Sequence, residues 1–134
     1  MAEAIVRKAR PKHLNLLQIR LPLPGIVSIL HRVSGVCLFL CLPLILWLFG
    51  ASLGSRDQLD AFNEVFNFGI LGLPLVKLVV LGLLWSYLHH FCAGIRFLLL
   101  DMHVGIELPA ARLSSWIVLA VSLTLTVVIG VLIW

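Results

Sequence analysis

The hydrophobic pattern of this chain is one of long runs rather than alternation. Apolar residues fill the stretches from Gly25 to Gly50, from Leu71 to Leu100 and from Leu113 to Trp134, with few polar interruptions. Each stretch is at least as long as the roughly 20 residues that a helix needs to cross a hydrocarbon core. In such a core every backbone amide must find its partner within the segment, so each run is expected as an α-helix. Pro43 falls inside the first run. It predicts a kink rather than a break, because neighbouring helices can satisfy the freed carbonyl. The second run is long enough to require tilt. Lys77, near its start, can carry its ammonium to the interface along its aliphatic stem.

The segments between the runs are polar. "GASLGSRDQLDAFNEVFNFG" reads as a loop with a short helix from Asp57 to Phe66, and "DMHVGIELPAAR" as a short connection. Before the first run, "RPKHLNLLQIRLPLP" has three prolines and little room for a long helix. The chain therefore divides into an extra-membrane arm, residues 1–24, and a three-helix transmembrane domain, residues 25–134. No internal repeat, low-complexity segment or soluble catalytic domain is visible.

Composition and charge sharpen this reading. Of 134 residues, 61% are hydrophobic and 12% charged. A water-soluble domain carries about 25% charged residues, so that class is excluded. The net charge is +4, and its distribution is uneven: Arg7, Lys8, Arg10, Lys12 and Arg20 all precede the first run. Only Arg56 lies in the first loop, while Arg112 follows the second run with Arg96 near its edge. A basic cluster in a soluble protein points to nucleic acid. In a membrane chain it marks the cytoplasmic or matrix side, so no nucleic-acid partner is expected. The same count puts the N-terminus and second loop inside, and the first loop and C-terminus outside. The first 20 residues contain no apolar core of a secretory signal. Cys37, Cys41 and Cys92 lie within apolar runs without metal-binding or haem-attachment spacing, and read as packing residues.

Polar groups inside the runs carry the candidate chemistry, because ionisable side chains in a membrane are costly and mark functional sites by default. "SILHRVSG", residues 28–35, places Ser28, His31, Arg32 and Gly35 along one stripe of the first helix. "HHFCAGIRFLLLD", residues 89–101, places His90, Gly94, Phe97 and Asp101 along a stripe of the second. His90 precedes Asp101 by 11 residues, or about 16 Å of helix, which is close to the membrane midplane. A histidine there, with a glycine gap one turn on and a cation near the surface, suits a haem. The imidazole would bind iron, and Arg or His would hydrogen-bond the propionates. Two plainer roles compete: a hydrogen bond between helices for the histidine, and a lipid phosphate for Arg32. His89 and His90 point about 100° apart, and helix geometry does not choose between them as the ligand.

Together "RPKHLNL" at 10–16, "SILHRVSG", "HHFCAGIRFLLLD", three spans and the final Trp134 resemble the succinate dehydrogenase cytochrome b subunits, the larger membrane anchors of respiratory complex II. The resemblance implies one part of a heterodimeric, haem-binding helix bundle. It also implies partners: a flavoprotein that oxidises succinate, an iron–sulfur subunit that delivers electrons, and a second small anchor sharing heme b. Ubiquinone would be the electron acceptor, and the location the inner or cytoplasmic membrane.

By the same resemblance His90, four residues before the Gly of G-I-R, is the axial iron ligand. Ser28 and Arg32 belong to the quinone site, and His31 lies near a haem propionate with Arg32 beside it. Asp101 is the acidic residue ending the second span. Many relatives carry a histidine after G-I-R where this chain has Phe97, so no role passes to that position. His89 likewise inherits none. Alternatives are a fumarate reductase anchor, a non-redox transporter subunit with His90 and Asp101 in a proton path, and a structural anchor that has lost haem.

Overall fold

The computed structural model describes residues 19–70 and 73–133. Its helices are α1 (Leu23–Ser52), α2 (Arg56–Phe66), α3 (Leu75–Asp101) and α4 (Leu108–Ile133). Of these, α1, α3 and α4 are long and apolar enough to cross a membrane. The "RPKHLNL" motif and the first 18 residues lie outside the described residues, as do Leu71, Gly72 and Trp134.

Proline chemistry explains where the helices depart from the sequence expectation. α1 begins two residues before Gly25, with Pro22 at its cap and Pro24 in the first turn. A proline there loses no helical hydrogen bond, because the first amides have no intrahelical acceptor. α4 begins at Leu108 rather than Leu113, with Pro109 in its first turn for the same reason. α3 begins at Leu75 rather than Leu71, directly after its cap Pro74. Ahead of it, Ile70 and Leu73 exchange backbone hydrogen bonds of 3.1 and 3.0 Å across a tight turn. A Cβ at Gly69 would lie 2.5 Å from the Leu73 carbonyl oxygen, so this turn requires glycine. α1 runs through Pro43 without a break. Between α3 and α4 the chain reverses through His103 and Gly105, at φ of 62° and 76°. Histidine is among the few residue types enriched in that left-handed region.

The short α2 matches the expected helix to within one residue. Its first turn is tied by Gln58 Oε1, which accepts the Ser55 N–H at 3.0 Å. The stacked rings of Phe62 and Phe66 lie on it, with the Lys77 ammonium over Phe66.

α3 is the central helix, packed on α1 along one side and α4 along the other. One residue from each spanning helix forms the core: Val27, Ala93 and Val118, flanked by Cys92, Phe97 and Leu119. Half of the remaining buried positions are hydroxyls: Ser34, Ser86, Ser115, Ser122 and Thr126. Small residues let helices approach closely where lipid offers no hydrophobic drive for association. Their protons go to their own helices: Ser115 to Ala111 O at 2.7 Å, Ser122 to Leu119 O at 3.1 Å, and Thr126 to Ser122 O at 2.7 Å. The large apolar side chains, such as Phe39, Leu40, Leu123 and Val131, face outward. That inversion of a water-soluble fold is what lipid as solvent calls for.

Candidate functional site

The two motifs meet at the α1–α3 seam. The rings of His31 and His90 stack at 4.2 Å between centroids with planes 12° apart. Each ring lies over a glycine of the opposite helix. A Cβ on Gly35 would come within 2.9 Å of His90 Cε1, and one on Gly94 within 3.7 Å of His31 Nε2. The gap expected over Gly94 is therefore taken by His31, and the glycine that receives His90 is Gly35. Phe97 completes the packing, its ring centroid 5.1 Å from that of His31.

Hydrogen bonding fixes which nitrogen of His90 is available. Its Nδ1 lies 3.0 Å from the His31 carbonyl oxygen and 3.2 Å from Ser34 Oγ. A carbonyl only accepts, so Nδ1 carries the ring proton. Ser34 gives its own proton to the same carbonyl at 2.9 Å, leaving its oxygen free to accept. In the neutral ring Nε2 then holds a bare lone pair. His90 is half-buried, and Nε2 is not among the enclosed unbonded atoms. An outer-shell carbonyl on one nitrogen that leaves the other for a metal is the common arrangement of ligating histidines. No cluster of three or more metal-ligating side chains occurs among the described residues, so His90 would supply a single ligand.

His89 has the opposite environment. It is fully buried, and neither ring nitrogen makes a hydrogen bond of good geometry among the described residues, although the Val27 backbone lies within reach of the ring. Its neighbour one turn back, Trp85, also has an enclosed, unbonded Nε1, and the two rings lie 5.4 Å apart. The buried stripe of α3 runs Leu83, Ser86, His89, Ala93, Arg96. The stripe expected from sequence, His90, Gly94, Phe97 and Asp101, lies on its flank toward α1.

Ser28 is half-buried and Arg32 exposed, one turn apart near the start of α1. Asp101 is exposed at the last position of α3, at the same end of the bundle. His90 and Asp101 are not brought together. Sequence reasoning passed over Ser34, whose only signal was its place three residues after His31. It also took Arg96 as a topological charge. Arg96 is instead buried, its Nε donating to Ser114 Oγ at 2.9 Å and one Nη to Ala111 O at 3.3 Å. It ties α3 to α4.

Residues 6–129 match the family described as succinate dehydrogenase/fumarate reductase transmembrane subunit. The chain belongs to that family. As a family member it is similar to the succinate dehydrogenase cytochrome b556 subunit of Coxiella burnetii, at 35% identity over 93% of this chain and 97% of that one. The subunit of the same name from Paracoccus denitrificans is 32% identical over 90% of this chain and 89% of its own. That from Rickettsia felis is 27% identical over 91% of each. These matches run through all three spanning helices, so family membership describes the whole bundle rather than one motif.

Proposed function

We propose that this chain is the cytochrome b anchor of a succinate:ubiquinone oxidoreductase, with His90 an axial ligand of a b haem and Ser28 and Arg32 in the quinone site. It would not be catalytic alone. A flavoprotein, an iron–sulfur subunit and a second small anchor would complete the enzyme, the last supplying the other axial ligand. The names of the relatives favour succinate oxidation over the fumarate-reducing direction that the family also includes.

One observation carries the haem assignment: His90 Nδ1 is held by the His31 carbonyl, which leaves the Nε2 lone pair without a hydrogen bond among the described residues. A bound haem supplies one-electron redox chemistry. His90 would hold it, and His31 and Arg32, one helix position apart, would meet its carboxylates. Ser28 can donate a hydrogen bond to a quinone carbonyl. Arg32 stays cationic and balances negative charge as electrons arrive. Full reduction consumes two electrons and two protons, and the exposed end of the bundle near Arg32 and Asp101 gives water access. The decisive test is the reduced-minus-oxidised spectrum of the purified protein with and without His90.

The Gly35 contact gives a finer test. Gly35→Ala puts a methyl 2.9 Å from His90 Cε1 and must displace the ring. Disturbing the outer shell of a ligating histidine costs about 10- to 100-fold in metal affinity. Haem occupancy should fall while the apoprotein still inserts. Full occupancy with an unshifted spectrum would count against the assignment.

The proposed orientation puts the N-terminus on the cytoplasmic or matrix side. Reporter fusions at Asp60, in α2, and at Glu107, ahead of α4, should report opposite sides, with Asp60 outside. An outside signal from Glu107 would reverse the topology.

A further inference from the structure

Arg96 points away from His90 and meets the histidine cluster only through Phe97, whose ring lies beside its guanidinium. It follows His90 by six residues, which is about 240° around the helix, and it faces α4. Its side chain is 5% exposed. Both acceptors it reaches, Ser114 Oγ and Ala111 O, are neutral. Its remaining Nη has no hydrogen bond among the described residues. That nitrogen is also absent from the enclosed unbonded atoms, which are Trp85 Nε1 and the two His89 nitrogens. A permanent cation thus sits inside the bundle with the Phe97 ring 5.3 Å from its guanidinium carbon, no carboxylate partner among the described residues, and one donor edge without a hydrogen bond among them. Neutral partners satisfy hydrogen-bonding geometry but leave the charge uncompensated, which is costly in a low dielectric.

The surface beside that edge is a groove of about 450 Å³ between α3 and α4. Arg96 and Ser114 are its polar lining, and Ile95, Leu99, Ile117 and Val121 are part of its apolar wall. It begins at the α3–α4 turn, at Gly105, and reaches Val121. From the start of α4 that is 13 residues, or about 20 Å, somewhat more than one leaflet of a core about 30 Å thick. None of the exposed charged residues Asp101, Glu107 and Arg112 lines it, so Arg96 is its charged group. An apolar trough that opens at the α3–α4 turn, with a guanidinium about 8 Å in from the end of α3 and no carboxylate in its lining, matches one class of molecule.

We propose that this groove binds an anionic phospholipid, its phosphate on the unbonded edge of Arg96 beside Ser114 and an acyl chain along Cys92, Ile117 and Val121. The inference rests on the membrane character of the bundle and not on the haem or quinone assignment.

The test is native mass spectrometry of the protein, purified with its accompanying subunits, stripped of lipid and titrated separately with dioleoyl phosphatidylglycerol and dioleoyl phosphatidylcholine. Phosphatidylglycerol should occupy one site per chain in preference to phosphatidylcholine. Arg96→Gln should weaken that site about tenfold, the weight of one hydrogen bond to a charged group, and Arg96→Lys should restore part of it. Ile117→Trp fills the groove with the guanidinium untouched, and should displace the lipid by itself if Arg96→Gln fails to assemble. Equal retention of the two lipids would overturn the proposal. So would unchanged phosphatidylglycerol binding in Ile117→Trp, or in an assembled Arg96→Gln protein.

Discussion

Replacing His90 by alanine is expected to abolish the b-haem spectrum, while replacing its neighbour His89 by leucine leaves that spectrum in place. The asymmetry follows from their surroundings rather than their chemistry. His90 has one nitrogen committed to the His31 carbonyl at 3.0 Å and the other without a hydrogen bond among the described residues. His89 is sealed within its own bundle, with neither nitrogen in a hydrogen bond of good geometry among them. An unpaired buried polar group costs about 1–3 kcal/mol. An apolar side chain of similar size at position 89 should therefore be neutral or stabilising. The measurements are the dithionite-reduced difference spectrum and the thermal midpoint of the assembled protein. His90→Ala should lose the sharp absorption of low-spin haem. His89→Leu should keep it, with an unchanged or raised midpoint. Loss of haem in His89→Leu alone would exchange the two assignments.

The second large effect is expected at the start of α1. Ser28→Ala and Arg32→Leu should each slow succinate-driven reduction of a short-chain ubiquinone. An artificial dye that takes electrons upstream of the anchor should still be reduced at the parental rate. Ser28 and Arg32 lie one turn apart, half-buried and exposed, near the start of α1. Donors preorganised toward developing charge are worth on the order of 10²-fold in rate. The guanidinium is the stronger of the two because it stays charged at any working pH, so Arg32→Leu should cost at least as much as Ser28→Ala. Arg32→Leu should also shift the haem spectrum slightly through the adjoining His31, whereas Ser28→Ala should leave it unchanged. Parental quinone reduction in both variants would place the quinone elsewhere and leave "SILHRVSG" to haem and lipid.

Much of the geometry of the candidate site was legible from sequence because its parts lie within single helices. Helical spacing alone put Ser28, His31, Arg32 and Gly35 on one stripe, and His90, Gly94, Phe97 and Asp101 on another. What spacing left open was how the stripes mesh. A glycine one turn from a histidine looks like room for a cofactor. In the folded bundle the space over Gly94 is filled by His31 from the other helix, and His90 seats on Gly35. Ser34 escaped notice because its part in the site is to accept from a ring 56 positions away in sequence. Arg96 was misread for a related reason. A basic residue near the end of a span usually reaches for the interface, but this one turns inward because Ser114 and Ala111 of α4 offer it acceptors.

By itself the sequence determined that this protein lives in a membrane and how many of its helices are long and apolar enough to cross it. Those properties depend on the solvent. Length and apolarity act through the transfer free energy of one helix at a time. It also located the polar residues that such a solvent tolerates only for a purpose. Tertiary structure decided between neighbours: His89 enclosed and His90 accessible, Arg32 outward and Arg96 inward. Adjacent residues differ by about 100° around a helix, and composition carries no information about which of those directions faces a partner helix. That choice is made when small residues let α1, α3 and α4 close on one another, and with it the choice of which nitrogen is left free to bind.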